Sequence, residues 1–145
     1  MRREEENVLM RFRHITNHMT KQLDKWGSQY NITAIQALIL NEIAQEENIT
    51  VTRLGNNLDL SKANISAILK RMENAELIEK HRDHQDQRKV YLHLTPHGQN
   101  LYKQLQQDIQ SRVPTWERLE EYQRKAIIDI LDKLEAIIKG EKEDE

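Results

Sequence analysis

The sequence predicts a mainly α-helical fold with one small β-hairpin. Two observations predict the helices: apolar residues recur every three or four positions over long stretches, and the 145 residues include only 4 glycines and 2 prolines. A third observation predicts the hairpin, because the pattern changes to alternating apolar and polar residues between Leu77 and Thr95. The length fits a single module, residues 1–145, in which helical extensions flank a compact domain.

Composition excludes several classes of protein and site. With 0 cysteines, the chain has no disulfide framework, thiolate zinc site or cysteine redox switch. No apolar run approaches the ~20 residues that span a bilayer, and the first residues lack the apolar core of a signal peptide. We therefore expect a cytoplasmic protein without a membrane partner. The motifs of serine hydrolases, Walker loops, zinc peptidases and dinucleotide-binding turns are absent, so we expect neither enzyme activity nor a cofactor.

The first helix is predicted over residues 4–26. Its apolar positions, three or four residues apart, are Val8, Phe12, Ile15, Met19, Leu23 and Trp26. This is the spacing of a buried helical stripe, and Gly27 is placed to end the helix as a C′ glycine. His14 and His18 lie one turn apart and could form a two-ligand metal clamp. Without a paired acidic motif, two solvated or interface histidines are the favoured interpretation, and we predict no metal site.

The second helix begins at a capping-box pattern, Thr33 and Gln36, that precedes an apolar run. It is predicted to end near Gln45. The residues predicted to face inward are Ile35, Leu38, Ile39 and Ile43. After a polar turn, Ile49 is expected to form a brief strand.

The next segment has the spacing of a helix-turn-helix. Thr50 is placed to cap a short helix over residues 51–58. The apolar residues spaced for contacts between the two helices are Leu54, Leu58, Leu60, Ile65 and Ile68. Gly55 lies where the helices would cross, and Asp59 lies in the turn, where a left-handed conformation is needed. Ser61 then caps the second helix.

One face of this second helix is small or hydrogen-bonding near its start and basic further on. Its residues are Ser61, Lys62, Ala63, Asn64, Ser66, Ala67, Lys70 and Arg71. An ordinary helical hairpin is the alternative, but its solvated face would carry more Glu and Lys. Small and amide side chains can approach base edges closely, and a helix ~10–12 Å across fits a major groove ~12 Å wide. We therefore predict that these residues contact DNA.

The alternating segment predicts two strands, residues 77–82 and 89–95, joined by a charged turn. Val90, Leu92 and Leu94 should face inward, and Lys89, Tyr91 and His93 outward. Such a hairpin beside a helix-turn-helix is a wing. Arg88 lies at its tip and can enter a narrow minor groove, while Asp86 can hold its guanidinium in a bidentate pair. We predict that Asp86, Arg88 and Lys89 belong to the DNA-binding site; the alternative is a charged, solvated turn.

The remaining chain is predicted to form two more helices. Thr95 and Pro96 are placed to cap and begin the first of them, and Pro114 would break or kink it. Its inward residues are Leu101, Leu105, Ile109 and Val113. The last helix, residues 119–139, has an apolar stripe that consists of Tyr122, Ala126, Ile127, Ile130, Leu131, Leu134, Ile137 and Ile138. This stripe is too wide for one small neighbour, which predicts a second copy of the chain alongside.

The charge distribution gives weak support for a nucleic-acid partner. The whole chain has a formal net charge of −2. Residues 61–98, however, carry seven Lys or Arg and five Asp or Glu, so this segment is +2 and the remainder is −4. The asymmetry is small, and it supports DNA binding only together with the motifs.

Seven motifs occur in order along the chain: Thr33-x-x-Gln36, Leu54-Gly55, Leu60-Ser61-Lys62, Leu69-Lys70-Arg71-Met72-Glu73, Leu77-Ile78, Asp83-x-x-Asp86-x-Arg88 and Leu94-Thr95-Pro96-x-Gly98. The series resembles the MarR family of bacterial transcriptional regulators over nearly the whole chain. The resemblance implies a winged helix-turn-helix DNA-binding lobe, residues 33–98, with dimerisation helices in residues 1–27 and 99–145. It also implies that the Ser61 helix lies in the major groove and that Arg88 reaches the minor groove with support from Asp86.

The expected function is a sequence-specific transcriptional regulator, usually a repressor, that binds double-stranded DNA as a homodimer on a pseudo-palindromic operator. The resemblance further implies release by a small-molecule effector. A candidate effector pocket consists of Phe12, Ile15, Met19, Trp26, Tyr30, Leu38 and Ile39. For these residues the alternative is ordinary hydrophobic core. For the function, the alternative is a helical dimer that acts through a protein partner without binding DNA.

Two positions depart from the family pattern. Ala75-Glu76 stands where a glycine usually follows the recognition helix, and Gln87 stands where a second wing arginine is common. The second departure should weaken minor-groove binding and leave base contacts mainly to the helix. Thiol sensing is excluded because the chain has 0 cysteines. The His and Glu constellation of the zinc-sensing branch cannot be traced in this sequence.

Overall fold

Helices form most of the chain, as the apolar spacing predicts. The computed structural model describes residues 3–112 and 117–140, and within these ranges it contains six helices and two strands. The elements are α1 (Arg3–Ser28), α2 (Ala34–Gln45), α3 (Val51–Asn57), α4 (Lys62–Asn74), β1 (Ile78–Arg82), β2 (Val90–Leu94), α5 (Pro96–Arg112) and α6 (Glu121–Lys139). The predicted fold class is confirmed: mainly α with one antiparallel two-stranded wing.

Two compact units divide the chain within α5, between Asp108 and Ile109. The first unit contains α1 to α4, the wing and most of α5, and it holds the hydrophobic core. The core residues are Ile32, Ile39, Leu40, Ile43, Ile49, Leu54, Ile65, Leu69, Met72, Leu77, Ile78, Leu92, Leu101 and Leu105. The second unit contains the end of α5 together with α6. Val113 and Pro114, for which a packing contact and a kink were predicted, lie outside the described residues.

Side-chain caps begin α2 and α3. Thr33 and Gln36 form the predicted capping box of α2, and the backbone N–H of Thr33 donates to Gln36 Oε1 at 2.9 Å. Thr50 Oγ1 caps α3 by accepting from the N–H of Arg53 at 3.2 Å. These bonds satisfy N–H groups that have no partner within the helix, so the sequence determines where both helices begin.

The prediction that Leu38 faces the core is wrong. Leu38 is 41% exposed, whereas Leu40 is fully buried beside Ile39 and Ile43. The reason is the composition of α2, which is apolar on more than one side, so that its periodicity does not select one face. The packing of α2 against α3 and β2 instead determines which of its residues are buried.

Gly27 does not end α1 in the predicted manner. It lies inside the last turn of the helix, and the residue with the left-handed conformation is Asn31, with φ of 57°. The glycine is needed for a different reason: a Cβ on Gly27 would lie 2.4 Å from the carbonyl oxygen of Ile32. The chain folds back against this position at the start of α2, where the N–H of Ala34 donates to Asp24 Oδ1 at 2.9 Å.

The wing packs onto the helices through backbone contacts. Ile78 pairs with Leu94, and Arg82 pairs with Val90 at the other end of the ladder. The brief strand predicted at Ile49 is a single bridge, in which the N–H of Leu92 donates to the Ile49 carbonyl at 3.0 Å. Gly98 fixes the start of α5, because a Cβ there would lie 1.9 Å from the Leu77 carbonyl oxygen.

The apolar stripes of α1 and α6 are exposed in the single chain. In α1 the exposed large apolar residues are the stripe members Val8, Phe12, Ile15 and Met19, together with Leu9 and Met10. In α6 they are the stripe members Tyr122, Ile127, Ile130, Leu131, Ile137 and Ile138, together with Ile128. The prediction that the α1 stripe is buried is therefore wrong for one chain: only Leu23 and Trp26, near α2, are half-buried. Within the described residues, no helix is long and apolar enough to cross a membrane.

Candidate nucleic-acid interface

A tight turn places α4 against α3. Asp59 adopts the left-handed conformation that the sequence predicts, with φ of 50°, and the N–H of Leu60 donates to the Gly55 carbonyl at 2.9 Å. Ser61 then caps α4, since its Oγ accepts from the N–H of Asn64 at 3.2 Å. A Cβ on Gly55 would lie 3.4 Å from the Leu60 carbonyl oxygen, a close but ordinary contact. Gly55 therefore favours the helix crossing but is not indispensable to it.

The predicted DNA-contacting face of α4 is exposed. Its members are Ser61, Lys62, Ala63, Asn64, Ser66, Ala67, Lys70 and Arg71. The opposite face holds the helix in place, since Ile65, Leu69 and Met72 are buried in the core. In the part of the chain that the structure describes, Lys62, Lys70 and Arg71 form no ion pair, so their charges remain available to an external anion.

The end of α4 accommodates the departure at Ala75-Glu76 without a glycine. Ala75 caps the helix, and Glu76 takes the left-handed conformation with φ of 56°. A non-glycine residue in this region is strained by roughly 1 kcal/mol. Thr95 Oγ1 donates to the Glu76 carbonyl and accepts from the N–H of Gly98, so the turn into β1 is tied to the start of α5.

The wing tip is held by a set of short polar contacts. The N–H of Asp83 donates to the Lys89 carbonyl at 3.0 Å, and the N–H of Lys89 donates to the Asp86 carbonyl at 2.9 Å. Asp86 Oδ1 accepts from the backbone N–H of Arg88 at 3.0 Å. Asp86 thus bonds to the backbone two residues ahead, as Asp commonly does in turns. The expected bidentate pair with the Arg88 guanidinium does not form among the described residues, and both side chains are exposed.

Sequence reasoning did not predict the contact between two residues of the wing, Asp83 and Tyr91. Asp83 Oδ1 accepts from the N–H groups of Gln85 and Asp86 at 2.7 and 3.0 Å, while Oδ2 accepts from the Tyr91 hydroxyl at 3.0 Å. Tyr91 was predicted to face outward, yet it is half-buried, and its hydroxyl reaches the Asp83 carboxylate. Alternation assigns a residue to a face, but it does not show that a long side chain on that face reaches back to the turn.

These contacts shift the pKa values of Asp83 and Tyr91 in opposite directions. The backbone N–H groups of Asp86 and Gln85, followed by the Tyr91 hydroxyl, hold the pKa of Asp83 below its usual value of 3.8. The same hydrogen bond, with burial and the charges of Asp83 and Asp86, raises the pKa of Tyr91 above its usual 10.0. Around neutral pH the tip therefore contains an ionised Asp83 that accepts from a protonated Tyr91.

A cleft of about 560 Å³ joins the wing to the helix-turn-helix. It lies between the starts of α3 and α4 and the first residues of β2, and its lining includes Lys62, Arg88 and Lys89. The fold thus brings together one predicted contact from α4 and two from the wing. Lys70 and Arg71, further along α4, do not line the cleft.

The predicted effector residues lie in different environments. Phe12, Ile15 and Met19 are exposed on α1, and Leu38 is exposed on α2, whereas Trp26 and Tyr30 are half-buried. Ile39 is fully buried in the core. A second cavity of about 480 Å³, between α2, β2 and α5, contains none of these residues in its lining. Among the described residues no group of three His, Asp or Glu is placed to hold a metal, and His14 and His18 are exposed on α1.

The comparison with known proteins agrees with this geometry. Residues 32–90, which include the helix-turn-helix and most of the wing, match the model of the MarR family. Over these residues the chain resembles the MarR family, as its motifs predict. Members of the family are transcriptional regulators rather than enzymes.

The HTH-type transcriptional regulator MgrA of Staphylococcus aureus is similar to part of this chain. It is 34% identical to this chain over 82 residues, which cover 57% of this chain and 56% of that regulator. The chain thus spans little more than half the length of this relative.

Solved structures share the fold over almost the whole chain. AbsC, a MarR family transcriptional regulator from Streptomyces coelicolor, has a TM-score of 0.86 at 20% identity, with 97% of this chain and 98% of AbsC covered. The Staphylococcus aureus MepR–DNA complex has a TM-score of 0.78 at 23% identity and covers 88% of this chain and 93% of MepR. At these identities the likeness establishes the fold, including α1 and α6.

Proposed function

We propose that this chain is a homodimeric transcriptional repressor of the MarR type. It binds a pseudo-palindromic duplex operator, and the binding of a small molecule releases it from the DNA. One observation carries the proposal: the small and basic face of α4 is exposed, free of ion pairs among the described residues, and adjacent to a basic cleft at the wing. MepR, which has a similar fold, forms a complex with DNA.

In the major groove, the start of α4 would contact bases. Ala63, Ser66 and Ala67 are short enough to let the helix backbone approach the base edges, and Asn64 offers an amide that can pair with adenine. Lys62, Lys70 and Arg71 would bind phosphates. These contacts fix the position of the helix, and sequence preference comes from the few residues that touch bases.

In the minor groove, Arg88 would be the main wing contact. It is exposed at the tip, with Lys89 beside it and the neutral Gln87 before it. A single arginine in a narrow groove gains from the strong negative potential there. Because Gln87 adds no second charge, α4 carries most of the base contacts in this proposal.

The exposed apolar stripes support the homodimer. Contiguous exposed apolar patches on soluble proteins mark interaction sites, and α1 and α6 each present one. A second copy of the chain would cover both by twofold symmetry. Two α4 helices in such a dimer would contact half-sites about one helical turn, ~34–36 Å, apart.

The effector would act on the distance between the two α4 helices of the dimer. In a dimer, the exposed Phe12, Ile15 and Met19 of α1 and Leu38 of α2 would become walls of a cavity that one chain does not close. A compound bound there and also touching Trp26 or Tyr30 would change the separation of the two α4 helices. The dimer releases DNA if the compound binds more tightly to the form in which the separation of the two α4 helices does not match the half-sites.

The test measures the binding of a duplex that the wild-type protein selects from a random-sequence pool. If each subunit places about four cations on phosphates, the logarithm of affinity should fall with the logarithm of salt concentration with a slope of roughly −7. Arg88→Ala should weaken binding roughly 5- to 150-fold, and Lys62→Ala should reduce the salt slope by about 1 per subunit. The dimer should persist in both variants.

Lys103→Ala is the matched control, because Lys103 is an exposed lysine of α5 outside the cleft that Lys62, Arg88 and Lys89 line. It should leave DNA affinity unchanged. Salt-independent binding, or equal affinity for wild type, Arg88→Ala and Lys62→Ala, would overturn the proposal. That result would favour the alternative function, a helical dimer that acts through a protein partner.

A further inference from the structure

The wing tip lacks the buried contacts that order the hydrophobic core of the first unit. All six residues from His84 to Lys89 are exposed, so no hydrophobic contact fixes their conformation. Loops of this kind are usually mobile. Arg88 nevertheless has to meet the minor groove in a defined position if the proposed function is correct. The polar contacts of the tip are therefore the groups that can order it.

Asp83 makes most of these contacts. Its carboxylate accepts three hydrogen bonds, two from the backbone N–H groups of Gln85 and Asp86 and one from the Tyr91 hydroxyl. Its own backbone N–H donates across the turn to Lys89. The Asp83 side chain thus connects the first half of the turn to β2. Hydrogen bonds to both of its carboxylate oxygens hold it in place.

A second group of contacts closes the other half of the turn. Arg82 Nη1 donates to the Gln87 carbonyl at 3.1 Å, and Asp86 Oδ1 accepts from the Arg88 N–H at 3.0 Å. The backbone of Arg88 is therefore held by Asp86, whose own N–H is held by Asp83. A continuous path of hydrogen bonds runs from Tyr91 through Asp83 and Asp86 to Arg88.

We propose that Asp83 and Tyr91 are positioning residues that lock the wing tip and so hold Arg88 in the conformation that enters the minor groove. This inference rests on the proposed DNA-binding function. Neither residue has to touch DNA in this role. Because the wing tip is already ordered in the free protein, its ordering costs no conformational entropy when DNA binds.

The direction in which Asp83→Ala changes DNA affinity distinguishes a positioning role from a purely electrostatic one. Asp83 is an anion beside a surface that would approach phosphates. If its charge were all that mattered, Asp83→Ala would remove a repulsion and strengthen DNA binding. If Asp83 positions the tip, the same change leaves two backbone N–H groups and the Tyr91 hydroxyl without their acceptor, and DNA binding weakens.

The experiment measures the binding of the same selected duplex by fluorescence anisotropy. We expect Asp83→Ala to bind about tenfold more weakly, and Tyr91→Phe about threefold, as for the loss of one or more hydrogen bonds of a network. Asp83→Asn should restore most of the affinity, since its amide oxygen can still accept from the Gln85 and Asp86 N–H groups. Glu79→Ala is the control: it also removes an exposed carboxylate from the wing but leaves the tip contacts intact.

A double variant tests whether the effect passes through Arg88. Once Arg88→Ala has removed the guanidinium, adding Asp83→Ala should cost little more, because coupled residues are not additive. Full additivity of the two losses would overturn the inference, as would an increase in affinity for Asp83→Ala alone.

A measurement on the free protein separates failure of this inference from failure of the proposed function. Backbone ¹⁵N order parameters at Gln85, Asp86 and Arg88 should be about 0.8 in the wild type and fall below about 0.6 in Asp83→Ala. Unchanged order parameters would refute the lock whether or not the protein binds DNA. Reduced order parameters in a protein that binds no duplex would instead uphold the lock and refute the function.

Discussion

The helix-turn-helix and the terminal helices α1 and α6 have the same apolar spacing but opposite burial. In α4 the residues at this spacing enter a core, and Leu69 is 0% exposed. In α1 and α6 they lie at the surface: Ile15 is 57% and Ile138 is 83% exposed. The periodicity of a helix therefore shows that a face needs an apolar partner. It does not show whether the same chain supplies that partner.

The physical difference lies in what surrounds each helix. α4 has α3 on one side and β1 after it, so its apolar face is covered within one chain. α6 carries seven exposed large apolar side chains and has no buried residue. Leaving that area in water is costly at about 25 cal/mol per Å². A second chain removes this cost, which is why we infer a dimer from the terminal helices and not from the lobe.

The largest effect should come from the core. Leu69→Ala should lower the free energy of unfolding by about 2–5 kcal/mol, since it removes a fully buried side chain and leaves a cavity. Urea unfolding followed by circular dichroism measures this. Lys70→Ala, the exposed neighbour on the same helix, should stay within about 0.5 kcal/mol of wild type.

Ile15→Ala extends this prediction to the terminal helices. At protein concentrations low enough to give monomers, it should cost much less than Leu69→Ala, and its cost should rise with protein concentration as dimers form. If Ile15→Ala lowered the free energy of unfolding as much as Leu69→Ala does, at every protein concentration, α1 would be packed within one chain as α4 is.

A smaller effect, confined to assembly, should follow from Leu131→Glu on α6. Leu131 is exposed in the single chain, so the substitution should not unfold the monomer, but a charge in an apolar contact weakens association. We expect the dimer dissociation constant to rise at least about tenfold, equivalent to ~1.4 kcal/mol. Analytical ultracentrifugation across a dilution series measures it.

Lys125→Glu provides the control for this variant. Lys125 is exposed on the same helix and lies nine residues, or two and a half turns, before Leu134, and so on the side opposite the middle of the apolar stripe. The change introduces the same acidic side chain outside the apolar stripe and should leave the dissociation constant close to wild type. If both variants weakened the dimer equally, net charge rather than the stripe would govern assembly.

Local rules predicted the frame of the candidate site well. The capping box at Thr33, the caps at Thr50 and Ser61 and the left-handed Asp59 all follow from interactions within a few residues. The exposed face of α4 follows from the same helical period that buries Leu69. Such features need no knowledge of the rest of the fold.

Features that depend on distant contacts were not predictable. The burial of Leu40 in place of Leu38 is decided by the packing of α2, and the need for Gly27 comes from the close approach of the Ile32 carbonyl. The bond between Tyr91 and Asp83 joins residues eight apart across a turn. Alternation placed Tyr91 on the outer face, but only the register of the two strands brings its hydroxyl to that carboxylate.

The smallest effect concerns the wing tip, which has neither a buried core nor an apolar stripe. Hydrogen bonds lower the pKa of Asp83 below 3.8, so the ionised form contributes to stability above that pH and its contribution is lost as pH falls through the lowered pKa. Carboxyl ¹³C chemical shifts across an acid titration measure the midpoint. It should lie below 3.8 in wild type, and the tip contacts should persist from neutral pH down to that range.

Tyr91→Phe should raise this midpoint only part of the way towards the usual value. The two backbone N–H groups are the larger causes of the lowered pKa, and they remain in the variant. Tyr102→Phe is the matched control, since the Tyr102 hydroxyl bonds to Asn41 rather than to a carboxylate, and it should leave the midpoint unchanged. A complete return to the usual pKa in Tyr91→Phe would mean that the turn amides do not bond to Asp83 in solution. The tip would then resemble the exposed stripes, ordered only when a partner, here DNA, covers it.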